Sequence, residues 1–353
     1  MQPGLQHGCF TALITPFNED GSVDYPGLEK IALYQIENGI TGILAVGTTG
    51  ESPTLSWEEH IRIIDTIAKK TRGQCACIAG TGSNNTAEAI SATGHAVQAG
   101  CDAVLMVDPY YNGPSSLEIR REYIEPVARE YPETAIIPYV IPGRTGTQLF
   151  PEDLALLYRD YPNVGYVKEA TGNLDNMRRT RACCGESYTI YSGDDGIAFD
   201  VMTDPEIRGA GMISVISNIA PKAVTEMVNH VIKGNIDEAG KLNKAMAPLF
   251  GLVTVTTSEK TPFGNVSCRA RNPVPVKTLL HILDIFPGNC RRPLGKMTRN
   301  GVQKVLEAAR QVHRSNPEIL RPAADFFKVD IDFRLNDPGL EKEYFQTLCY
   351  PDD

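Results

Sequence analysis

No apolar run in this sequence approaches the roughly 20 residues that a membrane-spanning helix needs, which argues against a membrane protein. Its six histidines include no H-x-H or H-E-x-x-H pair. A metal-dependent mechanism therefore has little support, and no metal is expected. No G-x-G-x-x-G follows the first strand-like segment, which weighs against a dinucleotide-binding sheet. Positive charge is scarce as well. Lys and Arg number 34 against 43 Asp and Glu, for a net charge of -9. That balance suits a soluble protein and speaks against a nucleic-acid partner. The nine cysteines are odd in number and follow no repeating framework, so they read as free thiols. The N-terminal segment MQPGLQHGCFTALITPF has no basic region followed by an apolar core and a small-residue cleavage site. No secretory signal is expected, and the expected location is the cytoplasm.

What is present is ordinary globular composition, 42% hydrophobic and 22% charged over 353 residues. Short β-branched runs alternate with longer amphipathic ones. The strand-like runs are CFTALIT, GILAV, ACIAG, AVLMV, AIIPYV, VGYVK, YTIYS and MISVIS, beginning at residues 9, 42, 76, 103, 135, 164, 188 and 212. Helical patterns such as SWEEHIRIIDTIAKKT lie between them, with capping signals at Ser56 and Thr86. Strands alternating with helices imply a parallel sheet. Eight such units predict an α/β fold, a (β/α)8 TIM barrel over residues 5–220. An open doubly wound sheet is the runner-up. A C-terminal helical region is expected over 221–315, interrupted by TVTTSEKTPFGNVSCRARN, which reads as a polar connection. An additional C-terminal tail, 316–353, is too aromatic for a solvated segment and is expected to dock on its own barrel or on a neighbouring subunit.

In such a barrel, chemistry collects at the C-terminal strand ends. Lys168 lies near the end of the apolar run around residues 164–169. Burial strips its ammonium of water and lowers its pKa, and a neutral lysine amine forms imines with carbonyl carbons. The bland alternative is a lysine paired with a carboxylate. After the second strand comes G-T-T-G-E-S at 47–52, where backbone N–H groups and two hydroxyls suit a small carboxylate; a plain turn is the alternative. Tyr139 ends the fifth strand, where a phenol either packs or shuttles a proton. Arg144, between glycines, is free to grip a carboxylate or to be merely solvated.

Taken in order, these segments resemble the pyruvate-dependent Schiff-base aldolases of the N-acetylneuraminate lyase type, and within them the dihydrodipicolinate synthases. The matching motifs are G-T-T-G-E at 47–51, P-Y-Y-N at 109–112, Tyr139 followed by P-G-R-T-G at 142–146, K-E-A-T-G at 168–172, S-G-D-D at 192–195, I-S-V at 213–215 and N-P-V-P-V-K at 272–277. The resemblance covers roughly residues 5–312. It implies a lyase that condenses pyruvate, as an imine of Lys168, with L-aspartate 4-semialdehyde to give 4-hydroxy-tetrahydrodipicolinate, with no cofactor beyond that imine. By the same resemblance Tyr139 carries protons beside Lys168. Thr48 and Tyr111 complete a relay, Tyr111 reaching into a neighbouring subunit. Thr49 with the Gly47 and Gly50 backbone holds the pyruvate carboxylate. Arg144 takes the carboxylate of the second substrate, and Gly193 and Ile213 shape the site. A homo-oligomer, dimer or tetramer, is implied. So is a lysine effector site at Ser52, Pro53, Trp57, His60, Asn84, Glu88 and Tyr110, where Glu88 pairs with the ligand ammonium. For Trp57 and Glu88 the plain alternatives are packing at a helix start and a solvated helix face.

The sequence departs from the pattern in places. Val140 stands where the synthases usually carry asparagine, and insertions precede Ile213 and Asn272. Two other readings stay open: a related imine-forming lyase or dehydratase acting on a sugar acid or another aldehyde, and a catalytically silent barrel that binds lysine or a 2-oxo acid. Arg144 favours the synthase, because a charge-bearing site discriminates against partners that leave the charge unpaired.

Overall fold

The computed structural model describes residues 5–288 and 290–351. The start of the N-terminal segment and the last two residues of the expected tail lie outside them. Eight strands close into one barrel in sequence order: β1 Gly8–Ala12, β2 Gly42–Ala45, β3 Ala76–Gly80, β4 Ala103–Val107, β5 Ala135–Val140, β6 Tyr166–Glu169, β7 Thr189–Ser192 and β8 Gly211–Ser214. Every pairing is parallel, and β1 meets β8 with Phe10 opposite Ile213. The open-sheet alternative is excluded by that closure.

Period-two alternation divides the apolar residues into two layers. Phe10, Leu44, Ile78, Leu105, Ile137, Tyr139, Tyr191 and Ile213 fill the barrel interior. Cys9, Ile43, Cys77, Val104, Ile136, Val140, Val167 and Ile190 face the surrounding helices. The same alternation sends Lys168 inward, since Tyr166 packs against the interior cluster and Val167 belongs to the outer one. Ser56 caps the Trp57–Thr71 helix through a reciprocal box with Glu59. At the next helix Asn85, not Thr86, is the cap: its side chain accepts from the Ala87 amide, and Thr86 is the first helical residue.

The expected polar connection after residue 253 is instead a β-hairpin, β9 Thr254–Thr261 and β10 Gly264–Arg271, paired antiparallel from Gly264–Thr261 to Arg271–Thr254. The reason is visible afterwards. Val255 and Thr257 alternate inward along β9 while Thr254, Thr256 and Ser258 face out, and Pro262-Phe263 makes the turn. The hairpin rests on the Arg299–Ser315 helix, with Lys304 Nζ donating to the Thr256 carbonyl at 2.7 Å.

The tail packs on its own chain. Phe326 packs tilted and Phe327 edge-on against Tyr34, with ring centroids 5.2 and 5.1 Å away. The Tyr344 hydroxyl donates to the Ile282 carbonyl at 3.1 Å, and Arg334 Nε donates to the same oxygen at 2.8 Å. A buried ion pair ties the helix Val274–Ile282 to the top of the barrel. Lys277 Nζ donates to Glu51 Oε1 at 2.7 Å and to the Thr15 carbonyl at 2.9 Å. The other Glu51 oxygen accepts from the Arg291 amide at 2.8 Å, so the carboxylate is satisfied where water cannot reach it.

Candidate active site

Lys168 and Tyr139 are register partners on β6 and β5. Only 4% of Lys168 is exposed, and its Nζ lies 4.2 Å from the centroid of the Tyr139 ring. Burial pulls the ammonium down from 10.5 to about 7, with Arg144 adding to the effect and the Asp195 carboxylate opposing it. Half the amine is therefore neutral near pH 7. The carboxylate-paired alternative is not realised, since the lysine makes no ion pair among the described residues. The Tyr139 phenol is pushed above its ordinary value by burial, against the lowering influence of Arg144 and a Thr48 hydrogen bond. Burial thus keeps it protonated at neutral pH.

Asp195 is the one carboxylate that stabilises the charged form of Lys168. It is buried and accepts from Ser214 Oγ at 2.5 Å, the Val215 amide at 2.9 Å and the Ile216 amide at 3.2 Å. Sequence reasoning noted its motif at 192–195 without assigning it a task. Gly193 has no room for a side chain: a Cβ there would stand 3.0 Å from Lys168 Cε and 2.8 Å from the Ala170 Cβ. Ile213 lies in the barrel interior below.

The 47–50 loop leads into a tight turn in which the Glu51 amide donates to the Thr48 carbonyl at 3.1 Å, but neither of its glycines takes a left-handed backbone. The left-handed backbone positions are Val46 (φ 49°) and Glu51 (φ 58°), which flank it. Non-glycine residues held there are strained, and such positions cluster at functional sites. Gly50 is small for a packing reason, because a Cβ would meet the Leu13 carbonyl oxygen at 3.2 Å. The buried Thr49 accepts at Oγ1 from Asn272 Nδ2 at 2.9 Å, while Asn272 Oδ1 is buried with no partner among the described residues. Asn272, at the root of the hairpin, also accepts at its carbonyl from Arg144 Nη2 at 3.0 Å. One residue thus touches both the residue expected at the pyruvate carboxylate and the one expected at the acceptor carboxylate. Only its place in N-P-V-P-V-K signalled it.

Above these groups opens a cavity of about 590 Å³. Gly47, Thr48, Tyr139 and Arg144 line it, and so do all seven residues of the expected effector site. Within that outer part Glu88 accepts from Ser83 Oγ at 2.5 Å, and Asn84 Oδ1 accepts from the Tyr110 amide at 2.7 Å. His60 is held neutral, its pKa lowered to about 4 by burial and by His95, and Trp57 packs edge-on to it at 5.0 Å. Tyr111 is not brought to Tyr139. It is 85% exposed and lies outside the cavity lining. Val140 lies away from the site altogether, in the layer between barrel and helices. Among the described residues no group of three His, Cys, Asp or Glu side chains is placed to hold a metal ion.

A parallel eight-stranded barrel with a buried, half-neutral lysine beside a tyrosine, under a mouth carrying an arginine, defines the class of imine-forming β/α-barrel enzymes. The chain belongs to the dihydrodipicolinate synthetase family, whose sequence model matches residues 5–312. It is 38% identical over 284 residues to the 4-hydroxy-tetrahydrodipicolinate synthase of Cyanothece sp., covering 80% of this chain and 90% of that one. To the synthase of Nitrosococcus oceani it is 38% identical over 305 residues, covering 86% and 98%. The structure of the synthase from Methylacidiphilum fumariolicum SolV superposes with a TM-score of 0.81 at 33% identity, covering 90% of this chain and 99% of that one. The synthase from Cyanidioschyzon merolae with lysine bound does so with a TM-score of 0.79 at 33% identity, over 88% and 99%.

Proposed function

We propose that this protein condenses pyruvate with L-aspartate 4-semialdehyde to form 4-hydroxy-tetrahydrodipicolinate, the ring precursor of diaminopimelate and lysine. The observation that carries the reading is the Lys168–Tyr139 pair, a buried amine half neutral at pH 7 against a protonated phenol. Neutral Lys168 attacks the pyruvate ketone; loss of water leaves the imine, and loss of a methyl proton gives the enamine. The enamine carbon then adds to the aldehyde. The acceptor's own amine closes the ring on the imine carbon and expels Lys168. Tyr139 carries the protons these steps exchange, with Thr48 next in line and Tyr111 of a neighbouring subunit beyond. Thr49 and the amides of Gly47 and Gly50 hold the pyruvate carboxylate. Arg144 holds that of the acceptor, and Gly193 and Ile213 keep the space beside the imine open.

The homologue crystallised with lysine and the outer half of the cavity together support lysine as an effector. Glu88 would receive the ligand ammonium. Asn84, whose amide oxygen is already engaged by Tyr110, would present its NH2 to the carboxylate. A cytoplasmic homo-oligomer completes the reading. Its test is intact-mass analysis after pyruvate and borohydride. One reduced pyruvyl adduct per chain is expected in the wild type and none in Lys168→Ala. An unmodified wild-type mass would refute it.

A further inference from the structure

The arginine at the mouth is not alone. Arg144 donates to the Asn272 carbonyl at 3.0 Å, and the neighbouring Arg271 donates through Nη1 to the Gly143 carbonyl at 3.0 Å. The two segments therefore clasp each other crosswise, each arginine bonded to the residue next to the other. Arg269 stands two residues back on the same strand, and its charge is felt at both Arg144 and Arg271. Arg271 in turn acts on the Tyr139 phenol in the same sense as Arg144. None of the three guanidinium groups is ion-paired among the described residues. Converging cations without a counter-ion repel one another, and an anion bound between them removes that cost. The clasp leaves most of each fork's N–H donors unused.

We propose that Arg271 completes the acceptor-carboxylate site, so that the carboxylate of the aldehyde substrate is held by two guanidinium groups, one from the loop after β5 and one from the root of the hairpin. The inference rests on the assignment of Arg144 to that carboxylate. Arg271 is then both a positioning residue, through Gly143, and a specificity determinant.

The test uses succinate, a four-carbon dicarboxylate, titrated calorimetrically into full-length protein saturated with pyruvate. Charge-assisted hydrogen bonds predict about 10-fold weaker binding in Arg271→Ala. Arg271→Lys should recover part of it, and the gap should shrink in about 1 M salt, where the screening length is about 3 Å. Phe263→Ala, at the fully exposed hairpin tip, should match the wild type. Equal affinity in the wild type and Arg271→Ala, or no succinate binding at all, overturns the proposal. So does an equal loss in Phe263→Ala, which would make hairpin integrity the cause. In turnover, Arg271→Ala should raise the KM for aspartate semialdehyde by the same factor and leave the pyruvate KM unchanged. A wild type that binds succinate but does not turn over that aldehyde would refute the assigned reaction and leave the two-arginine site standing.

Discussion

Imine formation at Lys168 should switch on with rising pH through a midpoint near 7. An ordinary lysine, with a pKa of 10.5, is only about 0.03% neutral at pH 7, whereas Lys168 at about 7 is half neutral. The burial that the barrel imposes therefore multiplies the reactive form by about 1,500 at neutral pH. The same shift has a stability consequence. A lysine whose folded pKa is depressed costs folding energy while the unfolded chain is protonated. The cost is complete below pH 7, shrinks between 7 and 10.5, and vanishes above. At 1.36 kcal/mol per unit it reaches at most about 5 kcal/mol. The assay is the initial rate of cyanoborohydride trapping with pyruvate, followed by intact mass from about pH 6 to 10. It is paired with denaturant unfolding of the wild type and Lys168→Met over the same range. The variant should trap nothing and should lack the wild type's gain in stability above pH 7. A trapping midpoint above about 9 would mean that Lys168 is not desolvated, and the argument from burial would fail.

Other outcomes follow from single contacts. Tyr139→Phe should still trap pyruvate but lower kcat by about 10²–10⁴-fold in the condensation assay, the usual worth of a positioned proton carrier. Lys277→Met leaves the Glu51 carboxylate buried without its cation, and urea unfolding should show a loss of about 3–5 kcal/mol. Val140→Asn places an amide in the outer apolar layer and should cost about 1–3 kcal/mol. Because it faces away from the cavity, competition between aldehydes should show the acceptor preference unchanged.

The barrel was legible because its signal is local. Each strand is a short β-branched run, each helix an amphipathic one, and closure follows from their number. Lys168 and Tyr139 were legible for a related reason: a polar group in an apolar run at a strand end stands out, and period two decides that it points inward. The hairpin at 254–271 was missed because its residues are mostly polar and only Val255 and Thr257 carry the inward alternation. Contacts between distant segments left no local trace. Lys277 and Glu51 are separated by 226 positions, and Asn272 and Thr49 by 223. Val140 departs from the pattern beside the site in sequence only, since Tyr139 takes the inner face and Val140 the outer one. The left-handed backbone of the 46–51 loop falls on Val46 and Glu51 and not on its glycines, a placement that residue type alone does not signal.

The most direct test of the assigned reaction is turnover of pyruvate with aspartate semialdehyde, coupled to a reductase that consumes the product and followed by loss of the reduced nicotinamide. The wild type should turn over rapidly and Lys168→Ala not at all. Arg144→Ala should lose chiefly its use of the carboxylate-bearing aldehyde. No turnover by the wild type with a verified coupling enzyme, or an Arg144→Ala variant with unchanged preference for that aldehyde, would contradict the account.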